Sequence, residues 1–200
     1  MNKIGSHNSW SYAPIKQWYI PTFVCKCQNV DIKEQYMRGV RVFDLRVRRY
    51  KGNWYTAHGS ACFLTNYMDD LHWLNSQKDS VSVRIILEYN SKPKNLEDIK
   101  ILFRNLCRYL EIMYDNINFF GGKLKYTWET LYTFNGKDIS LIDKYSSTTS
   151  LFKTNNKFLK IIDDWWPWLY AKLYNKKNYE EYIKSPHSDC LFIDFIDFII

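Results

Sequence analysis

Residues 40–47 alternate β-branched or aromatic side chains with charged ones, through Val42, Phe43, Asp44, Leu45, Arg46 and Val47. A period of two puts alternate side chains on opposite faces, which predicts a strand. Lys51-Gly52-Asn53 then predicts a hairpin turn into a second strand running through Thr56. Residues 63–76 set Phe63, Leu64, Tyr67, Leu71 and Leu74 at helical spacing. The apolar run 81–89 predicts a strand. Asn95 is the expected cap of a helix reaching about Met113, with Ile99, Leu102, Phe103, Leu106 and Leu110 on one face. Strands are expected at 138–142, 158–162 and 190–199, and a helix at 168–184. No repeat, low-complexity stretch or linker interrupts the series, so one domain is expected. Strands and helices that alternate in this way predict parallel βα units and an α/β fold.

Composition narrows the class. At 200 residues with 46% hydrophobic and 18% aromatic content, the chain can fill a core, and disorder is excluded. A net charge of +7 favours anionic partners such as phosphorylated ligands or an anionic bilayer surface. The lysines are scattered, and the one short basic run is Arg46-Val47-Arg48-Arg49, so a nucleic-acid partner is not expected. Five cysteines, an odd number, argue against a disulfide framework, and Cys25 and Cys27 lack a second ligand pair for zinc. A reduced compartment is expected, with the protein cytoplasmic or peripheral to a membrane. Neither a signal peptide nor a run of ~18 apolar residues is visible.

The candidate chemistry lies at strand ends. His7 sits in Ile4-Gly5-Ser6-His7-Asn8-Ser9-Trp10, and His58 in Thr56-Ala57-His58-Gly59. Asp44 and Arg46, two apart on a strand, share a face. Glu88, Asn90, Asp143, Lys144, Asp163, Asp164 and Asp194 also follow apolar runs, and catalytic groups of parallel βα folds gather at such ends. Two imidazoles, a guanidinium and a carboxylate are the parts for cleaving a phosphodiester. One ring takes a proton, the other gives one, and the cation holds the phosphate charge. Taken singly, each histidine also reads as an idle loop residue and Asp44–Arg46 as a surface ion pair.

Three stretches together carry a family resemblance: Gly5-Ser6-His7-Asn8-Ser9, Glu34 through Val47, and Ala57-His58-Gly59. In that order they resemble the catalytic X region of phosphatidylinositol-specific phospholipases C. Val83–Glu88, Thr130–Ile142 and Phe192–Phe195 continue the likeness over nearly the whole chain. The resemblance implies a single, distorted and compact TIM-type (β/α) barrel spanning residues 1–200, although barrels usually take ~200 to 250 residues. It implies that His7 is the general base on the inositol 2-hydroxyl and His58 the acid for the leaving oxygen. Asp194 would orient His7, with Asp44 and Arg46 completing the catalytic set. Asn8, Glu88, Lys144, Asp164 and Trp166 fall at substrate-binding positions. Trp165, Trp166 and Trp168, beside Lys172, Lys176 and Lys177, are candidates for a membrane-facing cluster.

Arg46 bears on the metal question. Metal-dependent members collect Ca²⁺ with an Asn after the first histidine and with acidic residues. Asn8, Asp44 and Glu88 match, but the remaining position is Arg46, whose charge repels the ion. The chain therefore resembles the metal-independent, bacterial-type branch, with no cofactor expected and Ca²⁺ as the alternative. It departs from that branch at Asn8, where an Asp usually supports the acid histidine. An uncharged amide predicts a weaker acid–base pair, or a compensating carboxylate such as Asp44. A phosphoinositide lipid is the expected substrate and a monomer the expected state. The rival reading is a catalytically weak phosphoinositide- or membrane-binding module.

Overall fold

A curled sheet of parallel strands, extended at one point by an antiparallel hairpin, organises the computed structural model, which describes residues 3–143, 167–184 and 190–199. Its strands are β1 (Lys3–Ser6), β2 (Val42–Tyr50), β3 (Asn53–His58), β4 (Ala61–Phe63), β5 (Val81–Leu87), β6 (Ile117–Leu124), β7 (Leu141–Asp143) and β8 (Cys190–Ile193). The helices are α1 (Ile32–Met37), α2 (Tyr67–Asn75), α3 (Leu96–Met113) and α4 (Pro167–Lys184). The parallel order is β6-β5-β2-β1-β8-β7, and β3 and β4 branch from the outer half of β2, where Val47 pairs with Thr56. Among the described residues β6 and β7 do not pair, so the barrel has a seam there.

Side-chain parity explains both the core and the curl. Phe43, Leu45 and Val47 of β2, with Val81, Val83, Ile85 and Leu87 of β5, join Phe103, Cys107 and Leu110 of α3 in the main core. The opposite parity builds the lumen. Val42, Phe120, Cys190 and Phe192 form a separate buried cluster. β6 and β8 are four strand spacings apart, roughly 19 Å in a flat sheet, so their contact requires the sheet to close on itself. Gly5 belongs to the same layer, because a Cβ there would run into the Phe192 ring and the Cys190 thiol. One step further along each strand the lumen turns polar, at His7, Asp44, Arg84 and Asp194, all fully or nearly fully buried.

The periodicity locates α3, α4 and the central strands well, and several details differ. The expected helix over 63–76 begins at Tyr67, because Ala61–Phe63 are drawn into pairing with β3. The side chain of Asn95 caps nothing at the start of α3. The closing strand stops at Ile193. Phe195 turns the chain at φ 47°, and a single 3-10 turn follows at Ile196–Phe198. β6 has no counterpart in the sequence reading, and neither does α1, which Asp31 caps by accepting from the Glu34 N–H at 2.8 Å. The expected strand at 158–162 lies outside the described residues.

Candidate active site

Seven of the ten candidate site residues meet at the open end of the lumen. Lys144, Asp164 and Trp166 lie outside the described residues. His7 follows β1, and its Nδ1 is 2.7 Å from Asp194 Oδ1, just past β8. Its Nε2 is 2.6 Å from Nη2 of Arg46. A guanidinium can only donate, so Nε2 is the accepting nitrogen and Nδ1–H donates to Asp194. The geometry thus sets the tautomer of His7, with the Nε2 lone pair facing the Arg46 guanidinium and a carboxylate behind Nδ1. Gln28 secures this corner by donating to the backbone carbonyls of His7 and Ile193, both at 3.0 Å.

Asp44 is the hub. Its Oδ2 accepts from Arg46 Nε at 2.7 Å and from the Asn8 backbone N–H at 3.0 Å, and its Oδ1 accepts from Arg84 Nε at 2.8 Å. Burial alone would raise this carboxyl, but the Arg46 and Arg84 guanidiniums overcome it and hold Asp44 well below the usual carboxylate range. Glu88 follows the same logic. Burial opposes its charge, and Arg46 and Lys125 more than compensate, so its pKa is lowered. Arg46 Nη1 is 3.5 Å from Glu88 Oε2, Lys125 pairs with Glu88 Oε1, and the Gly59 N–H donates to that same oxygen at 2.9 Å. Arg46 therefore bridges the two carboxylates that a Ca²⁺ ion would share. With every one of their named contacts to a cation or an N–H, this donor set does not fit a metal while Arg46 stays in place.

His58, at the end of β3, meets the His7 ring edge-on, with ring centroids 6.3 Å apart and planes at 90°. Its setting differs. Nδ1 lies 2.9 Å from the backbone carbonyl of Cys25 and 3.9 Å from the Cys27 thiol. Burial is the main cause that depresses this imidazole from 6.5 to about 4; Glu88, the next largest influence, lifts it, and Arg46, Lys125 and His7 lower it. Asp44 pairs with Arg46 and Arg84 rather than serving as the compensating carboxylate for His58. The Asn8 side chain is fully buried at φ 44°, and neither its Oδ1 nor its Nδ2 has a partner among the described residues. A cavity of about 400 Å³ opens beside His58, lined by Ile20, Val24, Cys25, Gly59, Asn90 and Lys125.

Three contributors escaped the sequence reading. Arg84 had a signal, as the single charged residue of its strand. Lys125 follows the strand that went unread, and the Cys25 carbonyl belongs to a loop and to the backbone. Of the candidate membrane cluster, Trp168 packs edge-on against Phe198 at 5.7 Å with Lys172 over its ring, while Trp165 and Trp166 lie outside the described residues.

No family model matches the sequence, and no curated protein matches it. Solved structures do match. A phosphatidylinositol-specific phospholipase C from Staphylococcus aureus, studied for its membrane binding, is 17% identical at TM-score 0.62, over 98% of this chain and 86% of that one. The phosphatidylinositol-specific phospholipase C from Listeria monocytogenes is 16% identical at TM-score 0.59, over 99% and 90%. A mutant of the S. aureus enzyme gives 15% identity at TM-score 0.60. The chain thus has the fold of the bacterial phosphatidylinositol-specific phospholipases C, a distorted TIM-type α/β barrel.

Proposed function

We propose that this chain is a metal-independent phosphodiesterase that cleaves phosphatidylinositol-type lipids into diacylglycerol and a cyclic or open inositol phosphate. One observation carries the reading. Arg46 sits between the base nitrogen of His7 and the carboxylates of Asp44 and Glu88, where an incoming phosphate can take its guanidinium. As Arg46 turns to the phosphate, Nε2 of His7 is freed to accept the proton of the inositol 2-hydroxyl. That oxygen attacks phosphorus, and Asp194 stabilises the imidazolium that forms. His58 donates a proton to the departing glycerol oxygen. The phosphate charge favours protonation of His58 on binding, offsetting its low value in the free protein. Ring hydrolysis would reverse the two roles.

A lipid substrate also needs a route from the bilayer. Trp18, Tyr19 and Phe23 are 92%, 64% and 55% exposed, and Ile20 and Val24 from the same segment wall the cavity beside His58. Lys16 precedes them in the chain. Exposed aromatics with a basic rim suit a membrane interface, and this one adjoins the site where the lipid would leave. No helix among the described residues is long and apolar enough to cross a membrane. The test is inositol phosphate release from phosphatidylinositol vesicles, with and without chelator. Release unaffected by EDTA supports the reading. Release that needs added Ca²⁺ would support metal-dependent cleavage with Arg46 displaced, and vesicle binding without release would support a binding module.

A further inference from the structure

The His7 and His58 rings meet edge-on, yet among the described residues only His7 has a carboxylate hydrogen-bonded to its ring. His58 Nδ1 points at the carbonyl oxygen of Cys25, 2.9 Å away. A carbonyl can only accept, so Nδ1 carries the proton and Nε2 is the nitrogen that exchanges protons with a ligand. The carbonyl is firmly held. Cys25 closes the 3-10 turn Thr22–Val24 with φ −132° and ψ −12°, its N–H bonding Thr22 O at 3.2 Å, and the Lys26 N–H bonds the same oxygen at 2.9 Å. Two residues on, Cys27 is fixed from both sides: its N–H donates to Ser11 Oγ at 2.9 Å, and its carbonyl accepts from the Phe195 N–H at 2.6 Å. On the other side of the ring, the Gly59 N–H is held by Glu88, and the Gly59 carbonyl by Arg48 Nη1 at 2.7 Å.

We infer that the backbone carbonyl of Cys25 is the positioning group of the acid histidine, and that the segment Pro21–Cys27 orients His58 as Asp194 orients His7. This rests on the proposed acid role of His58. It also accounts for Asn8, whose buried amide has no hydrogen-bond partner among the described residues: the support comes from another part of the chain. The groups facing His58 are Glu88 just after β5, Arg46 from β2, Lys125 after β6, and His7, together with the Cys27 thiol. The carbonyl orients the ring without adding the negative charge that a carboxylate would.

Two measurements test the inference on the intact protein. Long-range ¹H–¹⁵N spectra of histidine-labelled protein at neutral pH should show His58 as the Nδ1–H tautomer, and an Nε2–H tautomer would overturn it. Lys26→Pro provides the second test. A proline at 26 drives Cys25 out of its near-helical ψ and removes the Lys26 N–H bond, turning the carbonyl away. Two inositol phosphodiesters, one with an alkyl and one with a p-nitrophenyl leaving group, then separate acid positioning from general damage. The expected result is a loss of roughly 10²-fold or more on the alkyl ester, with p-nitrophenyl cleavage within about twofold of wild type, since a good leaving group needs no acid. Equal losses on both esters, or none, would overturn the inference. His58→Ala distinguishes this failure from failure of the proposed function: if that variant cleaves the alkyl ester normally, the acid role itself is wrong.

Discussion

The two histidine rings meet edge-on, with centroids 6.3 Å apart, and are built differently. His7 grows out of the barrel, with parallel strands on both sides and a buried carboxylate 2.7 Å behind its ring. His58 ends an antiparallel hairpin that branches off the barrel, and it leans on a loop carbonyl. A base benefits from an anion that stabilises its protonated form, so the Asp194 arrangement suits His7. An acid must hold a proton before the reaction, and among the described residues the anion that acts on His58 is Glu88, which also pairs with Arg46 and Lys125. Under the proposed mechanism, His7 works against a carboxylate already in place, whereas the substrate's own phosphate supplies the charge that favours a proton on His58.

The comparison can be broken most severely at Asp194. Asp194→Asn removes the charge behind His7 and permits the wrong tautomer, so lipid cleavage should fall by roughly 10²- to 10⁴-fold with the fold retained. A near-wild-type rate would mean that His7 does not depend on its carboxylate. Next comes Asp44. Asp44→Ala leaves the Arg46 and Arg84 guanidiniums buried without their shared partner, and should cost about 3–5 kcal/mol in denaturant unfolding. A loss below about 1 kcal/mol, the scale of exposed pairs, would demote the hub to a surface-like contact.

A third prediction concerns the His58 wall and pH. Its folded pKa, about 4, lies below its ordinary 6.5. Between these values the unfolded chain binds a proton that the folded protein does not, so stability falls as pH drops from 6.5 to 4. His58→Ala should flatten that part of the stability–pH curve, and an unchanged slope would contradict the depressed value. The smallest effect is expected at the rim. Trp18→Ala should raise the vesicle concentration needed for half-maximal rate severalfold while leaving cleavage of a soluble inositol phosphodiester unchanged. Equal effects on both would mean that Trp18 serves the fold rather than the bilayer.

What was legible in the sequence follows physical lines. Alternation in β2 revealed a strand whose Asp44 and Arg46 share one face, because side-chain parity there coincides with the division between core and lumen. The amphipathic stripe of α3 was equally plain. β6 was hidden because Gly121 and Gly122, at φ 93° and 63°, interrupt its pattern where the ladder to β5 shifts register. Losing β6 also meant losing Lys125 at its end. The support for His58 left no trace, because hydrogen bonding through a backbone carbonyl is independent of side-chain identity and depends on where a loop returns in space. Asn8 did flag the absence of a charge. Asp44, the carboxylate suggested to make up for it, is engaged by Arg46 and Arg84.

The most direct test of the asymmetry is a crossed assay of His7→Ala and His58→Ala on inositol phosphodiesters with alkyl and p-nitrophenyl leaving groups. His7→Ala should abolish cleavage of both esters, since each needs the base, whereas His58→Ala should abolish only alkyl cleavage. The same loss on both esters in both variants, or full activity in either variant on the alkyl ester, would contradict the account.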